Sequence, residues 1–208
     1  MVTCWTCLVQ SQSTLGRYYF FSGSYQFNLF ETSSHNYILG TGAPVILNPV
    51  GDVIYANYFW GDSILGLQAV RKYSNNEFYF ATNYQENASC YIQNQFVQHL
   101  DPVIGEMDSL GHVSNLKRYV LNAGCQNVAG DLEITHDKSV ITWGRDWSFF
   151  ILKADSNLNL VWAKHFDRLG GFEFIKELPG GDLLAGIDMD TAGAVVARMD
   201  ADGNFLWC

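Results

Sequence analysis

The sequence predicts an all-β fold made of four-stranded antiparallel units. Three observations predict it. A short turn of the Asp-x-x-Gly kind recurs four times between apolar runs, and a second polar turn recurs between those copies. No segment shows convincing helical periodicity; the best candidate is Ile64, Leu65, Leu67 and Val70, which aligns with a strand of the second unit.

The first kind of turn reads Asn48-Pro49-Val50-Gly51, Asp108-Ser109-Leu110-Gly111, Asp155-Ser156-Asn157-Leu158 and Asp200-Ala201-Asp202-Gly203. From residues 48, 108, 155 and 200 the spacings are 60, 47 and 45. An Asp or Asn side chain caps its own backbone there, and Gly takes positive φ without steric cost. The third copy has Leu158 in the Gly position, so Asn157 and Asn159 are expected to take the positive φ. Apolar strands precede these turns at 44–47, 103–107, 149–154 and 194–199, and follow them at 53–59, 113–119, 160–166 and 205–207.

The second turn recurs at Thr32–Asn36, Tyr73–Glu77, Thr135–Ser139 and Leu178–Asp182, again between short apolar strands. Each unit thus carries strands a, b, c and d. Units of about 45–60 residues with four antiparallel strands are the signature of a β-propeller blade. The blades run roughly 17–60, 61–120, 121–166 and 167–208, after an N-terminal segment 1–16 that resembles a signal-peptide remnant without its basic start. The last unit is cut within strand d, so an incomplete propeller is one reading. The expected core includes Ile38, Val45, Ile46, Phe80, Ile141, Ile151, Trp162, Leu184 and Val196.

Composition narrows the function classes. Net charge is −9 and no Lys/Arg cluster occurs, which argues against nucleic acid and anionic membrane surfaces as partners. No run of 18 apolar residues predicts membrane insertion. Aromatic residues make up 15% of the chain and charged residues 16%, favouring a strand-rich core over disorder. The five cysteines are irregularly spaced and form no disulfide framework. Cys90 and Cys125 are expected to reach the same face and are one candidate pair.

The stretch Trp162-x-Lys164-x-Phe166, then Gly180-Gly181-Asp182 through Gly186, then Asp200-x-x-Gly203-Asn204-x-x-Trp207 resembles the propeller repeat of secreted bacterial proteins exported by type IX secretion. The likeness is good over 160–208, fair over 25–59 and weak over 61–158. It implies an exported, extracellular or cell-surface propeller and no assigned chemistry. Asp62-Ser63-Ile64, Asp108-Ser109-Leu110 and Asp190-Thr191-Ala192 resemble the short O-glycosylation pattern of such bacteria, although Asp108 also has a turn role.

No catalytic set stands out. Cys4-x-x-Cys7 has no second ligand pair for zinc. Asp200-x-Asp202-Gly203-Asn204 and Asp188-x-Asp190 offer oxygen ligands, but calcium usually takes more, and a turn explains the first cluster; no cofactor is expected, with Ca2+ the alternative. Of the five histidines three occupy turns or strand ends, and most read as solvated turn residues. Glu106, Asp146, Asp167 and Asp188 are unranked carboxylates.

Binding is expected on the face of the long, varied loops, because function concentrates on variable loops of a rigid scaffold. Blade 2 has a long b–c loop from Thr82 to Asp101, rich in Asn, Gln and Tyr. The candidate ligand-binding residues are Tyr84, Tyr91, Arg145, Asp146 and Trp147, with Asp188 and Asp190 at the rim. Aromatic and Arg side chains carry most binding energy. The expected partner is a carbohydrate or a protein, bound without catalysis. The alternatives are a propeller-type carbohydrate-active enzyme and a structural subunit of a surface or type IX secretion assembly.

Overall fold

The computed structural model describes residues 28–32, 34–41, 43–56, 64, 66–92, 95–121, 127–144, 149–166, 171–189 and 193–208. Among them are sixteen strands and no helix. The strands form four sheets, each a meander of four antiparallel strands in chain order. Blade 1 is β1 (Asn28–Glu31), β2 (Tyr37–Thr41), β3 (Ala43–Leu47) and β4 (Val53–Ala56). Blade 2 is β5 (Ala69–Lys72), β6 (Glu77–Ile92), β7 (Gln95–Asp108) and β8 (Val113–Arg118). Blade 3 is β9 (Ala129–Ile134), β10 (Val140–Gly144), β11 (Phe149–Ala154) and β12 (Leu160–Phe166). Blade 4 is β13 (Gly171–Glu177), β14 (Leu183–Met189), β15 (Gly193–Met199) and β16 (Phe205–Trp207). The fold is a β-propeller arrangement with four blades among the described residues, as the repeat predicts. The N-terminal segment 1–16 lies outside the described residues.

The four c–d turns share one hydrogen-bond plan. In each, the Asn or Asp Oδ1 accepts the backbone N–H groups two and four residues on, as Asp200 does from Asp202 and Asn204. The fourth position takes positive φ: 85° at Gly51, 80° at Gly111 and 73° at Gly203. The third copy corrects the expectation placed on Asn157 and Asn159. Leu158 itself adopts φ 60°. It does so because its side chain is fully buried against blades 2 and 3, and its carbonyl accepts the Tyr119 hydroxyl at 2.8 Å. Burial of a whole Leu, worth roughly 2 kcal/mol, outweighs the strain of that backbone.

Three apolar layers sit between successive blades. Ile38 and Ile46 meet Leu67, Val70, Phe78, Phe80 and Met107 between blades 1 and 2. Tyr79, Ala81 and Ile104 meet Leu132, Val140, Phe150 and Leu152 between blades 2 and 3. Ile141, Trp143 and Ile151 meet Phe172, Ile175, Leu183 and Met199 between blades 3 and 4. Alternate residues of a strand face opposite ways, so Phe78 and Phe80 serve one layer while Tyr79 and Ala81 serve the next. This explains the unbroken apolar runs of the inner strands. Polar pairs cross the same gaps. Arg71 of β5 donates to both oxygens of Asp131 of β9, at 2.6 and 2.8 Å. His136 and Lys176 reach Glu177 and Glu133 between blades 3 and 4.

Of the expected core, Ile38, Val45, Ile46, Phe80, Ile141 and Ile151 are buried. Leu184 is half-buried and Val196 is 49% exposed. They stand on the face of blade 4 opposite Leu183, Ala185, Ala197 and Met199, which supply the layer shared with blade 3. Trp162 is also only half-buried, lying across the c–d turn of blade 4.

Candidate functional site

The long b–c segment of blade 2 is not a loop. Residues up to Ile92 continue β6, and residues from Gln95 continue β7, as one paired hairpin. Its flanking strands stop much earlier, β5 at the Ala69–Ala81 pair and β8 at the Val103–Arg118 pair. Beyond these the two strands pair chiefly with each other, with a bulge between Gln85 and Ser89. Buried backbone polar groups need partners, and a β-ladder satisfies a run of Asn, Gln and Tyr as well as an apolar one. That is why a polar composition read as a loop folds as strand.

The base of the hairpin is clamped. The Asn83 side-chain oxygen accepts the Ala129 N–H at 2.7 Å, and the Leu100 carbonyl accepts the Asn127 N–H at 3.0 Å. Both bonds tie blade 2 to the start of blade 3. The Thr82 hydroxyl donates to the Gly66 carbonyl at 3.2 Å.

A charged cluster lies on one face of this base. Tyr84 and Asp101 are directly opposed across β6 and β7. Arg118 at the end of β8 places its guanidinium 4.2 Å from the centre of the Tyr84 ring. The same guanidinium donates to Asp101 Oδ2, through Nε at 2.8 Å, and also to Glu86 Oε1. His99 stands with Nδ1 3.3 Å from Glu86 Oε2 and 3.8 Å from Asp101 Oδ2. The Arg118 hydrogen bond holds the Glu86 carboxyl below its ordinary pKa, and the positive charge of Arg118 adds to the effect.

The structure treats the expected site residues unequally. Tyr84 belongs to the cluster and is half-buried. Tyr91 lies on β6 opposite Phe96, near the hairpin end. Asp188 is exposed at the end of β14, in blade 4, remote in sequence from the hairpin. Arg145, Asp146, Trp147 and Asp190 lie outside the described residues, as do Cys125 and the Cys90 side chain. Sequence reading missed Glu86, His99, Asp101 and Arg118. The Tyr84/Glu86 and His99/Asp101 spacing of two was the available signal, since it puts all four on one face of two strands. Reading the segment as a loop removed that periodicity. His99 is accordingly a strand residue, not a solvated turn residue. Of the turn carboxylates, Asp200 commits Oδ1 to its own backbone and Oδ2 to the Asn204 amide.

No family model matches this chain, and no curated protein matches it. Solved structures do. A eukaryotic initiation factor aligns at TM-score 0.57 and 10% identity, over 94% of this chain and 45% of its own. A GH43 protein, BlXynB, from Bacillus licheniformis aligns at TM-score 0.52 and 10% identity, over 88% of this chain and 41% of its own. The chain therefore spans less than half the length of these structural relatives. At such identity the likeness is one of fold, and the fold this chain shares with them is the β-propeller.

Proposed function

We propose that this chain is an exported, surface-located propeller module that binds a carbohydrate or protein partner through the long hairpin of blade 2 without transforming it. One observation carries the reading. The hairpin extends past its blade by roughly 26 Å along β7, at about 3.3 Å per residue, and presents Phe96 80% exposed near its end. An aromatic side chain displayed on a rigid support is the usual anchor of a binding surface. The net charge of −9 and the scarcity of Lys and Arg suit a neutral or cationic partner. The repeat over 160–208, similar to type IX secretion cargo, supports the location.

The GH43 relative brings the enzyme reading into view. Glycoside hydrolysis uses two carboxyl groups about 5–9.5 Å apart. In the hairpin cluster, single carboxylate oxygens of Glu86 and Asp101 lie within 4.8 Å, and one guanidinium binds both groups. Such a pair is locked as an ion cluster, which favours binding over hydrolysis.

The test is a glycan array and a panel of surface proteins probed with the full chain, beside Phe96→Ala, Tyr91→Ala and Trp147→Ala. Binding lost at least tenfold in Phe96→Ala with an unchanged melting temperature supports the hairpin surface. Binding lost only in Trp147→Ala moves the site to the blade 3 loop. Reducing ends released from a bound polysaccharide establish the enzyme instead.

A further inference from the structure

Glu86, His99 and Asp101 converge at the base of the hairpin, the first from β6 and the others from β7. Asp101 has no exposed surface. Arg118 engages both carboxylates but takes one oxygen of each, Glu86 Oε1 and Asp101 Oδ2. Three donor atoms are left over. Asp101 Oδ1 is buried without a hydrogen-bond partner, and so is His99 Nδ1. Glu86 Oε2 faces His99 Nδ1 at 3.3 Å. A buried carboxylate oxygen without a partner is costly, and such exceptions point to something that binds there. Arg118 explains the two bonded oxygens and the 3.3 Å approach of His99 to Glu86 Oε2 pairs two of the other atoms, but the buried Asp101 Oδ1 stays unexplained.

One ligand atom from each residue lies within 4.8 Å of the other two. Ligands about 2.0–2.2 Å from a tetrahedral ion stand roughly 3.3–3.6 Å from one another. The Glu86–His99 separation of 3.3 Å already meets that spacing; Asp101 stands 3.8 Å from His99 through Oδ2, the oxygen that Arg118 holds, so the carboxylate must turn to present Oδ1 to the ion. The geometry points to a divalent transition-metal site of the zinc class, formed by Glu86, His99 and Asp101. Imidazole with two carboxylates suits zinc better than calcium, which takes six to eight oxygens. With a neutral imidazole, the two carboxylates and Arg118 leave one net negative charge for the ion to offset. Arg118 is then the outer partner that orients both ligating carboxylates by their far oxygens. The ion staples β6 to β7 across the Gln85–Ser89 bulge and fixes the direction of the hairpin. The inference stands independently of the binding function proposed above.

Zinc chloride added to chelator-treated full chain tests it by calorimetry. Because five cysteines can also take zinc, the chain is used with its thiols alkylated. One equivalent bound at low micromolar concentration and a raised melting temperature are expected. The cobalt form should show a visible ligand-field spectrum without a thiolate charge-transfer band. His99→Gln and Glu86→Gln should each weaken binding at least tenfold while keeping the strand circular dichroism. No binding by the alkylated wild-type chain overturns the site whether or not the variants fold. Undiminished binding in folded His99→Gln overturns it equally, as does tighter uptake of calcium than of zinc.

Discussion

The indole of Trp162 in β12 lies over Gly203 in the next blade's c–d turn. A Cβ at Gly203 would sit 2.9 Å from the ring, and the Trp162 Nε1–H donates to the Ala201 carbonyl at 3.2 Å. The same relation holds between Tyr55 of blade 1 and Gly111 of blade 2, where a Cβ would sit 2.8 Å from the ring. Outer strand and neighbouring turn are therefore fitted to each other across the blade gap.

This fit makes Gly203 costly to replace. Gly203→Val meets both the φ of 73° and the Trp162 ring. It should destabilise the chain by about 1–3 kcal/mol through backbone strain. Urea unfolding checks it. In a Trp162→Ala background the ring clash is gone, so the cost of Gly203→Val should shrink and only the strain remain.

Arg71 and Asp131 join the first strands of blades 2 and 3. Both side chains are largely buried, at 22% and 14% exposure, so removing one leaves the other poorly solvated. Asp131→Ala should cost about 2–3 kcal/mol, in the range of charge-assisted hydrogen bonds lost from partly buried sites. A double-mutant cycle with Arg71→Met should return a coupling above about 1 kcal/mol; additive effects would show that this pair does not help to hold the two blades together.

Asp137 in the a–b turn of blade 3 is held at about 2 rather than 3.8, first by the Thr135 hydroxyl and then by the Ser139 backbone N–H and Lys153. Its carboxylate binds a proton less readily folded than unfolded. Its stabilising contribution is therefore complete above pH 4 and fades as pH falls from about 4 to about 2. Asp137→Asn should lower the melting temperature at pH 7, and the difference should vanish only as pH falls below about 2. A gap between the two proteins that persists in acid would refute the assignment.

Arg118 neutralises Asp101, which is wholly buried. Arg118→Met should destabilise by about 3 kcal/mol, because breaking a buried pair strands the remaining charge. Asp101→Asn in the same background should recover part of that loss. Thermal denaturation of the three proteins decides it.

Much of the fold was legible from local chemistry. The turn that begins at Asp108, Asp155 or Asp200 is specified by one side chain capping its own backbone, so its recurrence counts the blades directly. Inner-strand residues such as Ile38, Phe80 and Ile151 also declared themselves, because apolar β-rich runs between turns have nowhere to go but the gaps between sheets. Leu158 and Val196 were misread for one reason. Their environments are set by the neighbouring blade, in one case present and burying the residue, in the other facing away.

The site was legible only in outline. Sequence pointed to the blade 2 segment and to Tyr84 through length and composition. Tertiary structure made that segment a hairpin and brought Glu86, His99, Asp101 and Arg118 together over a span of 32 residues. Turn formation depends on atoms a few bonds apart, which the sequence states outright. The cluster depends on strand register and on where β8 returns, which are fixed only once whole sheets pair and stack.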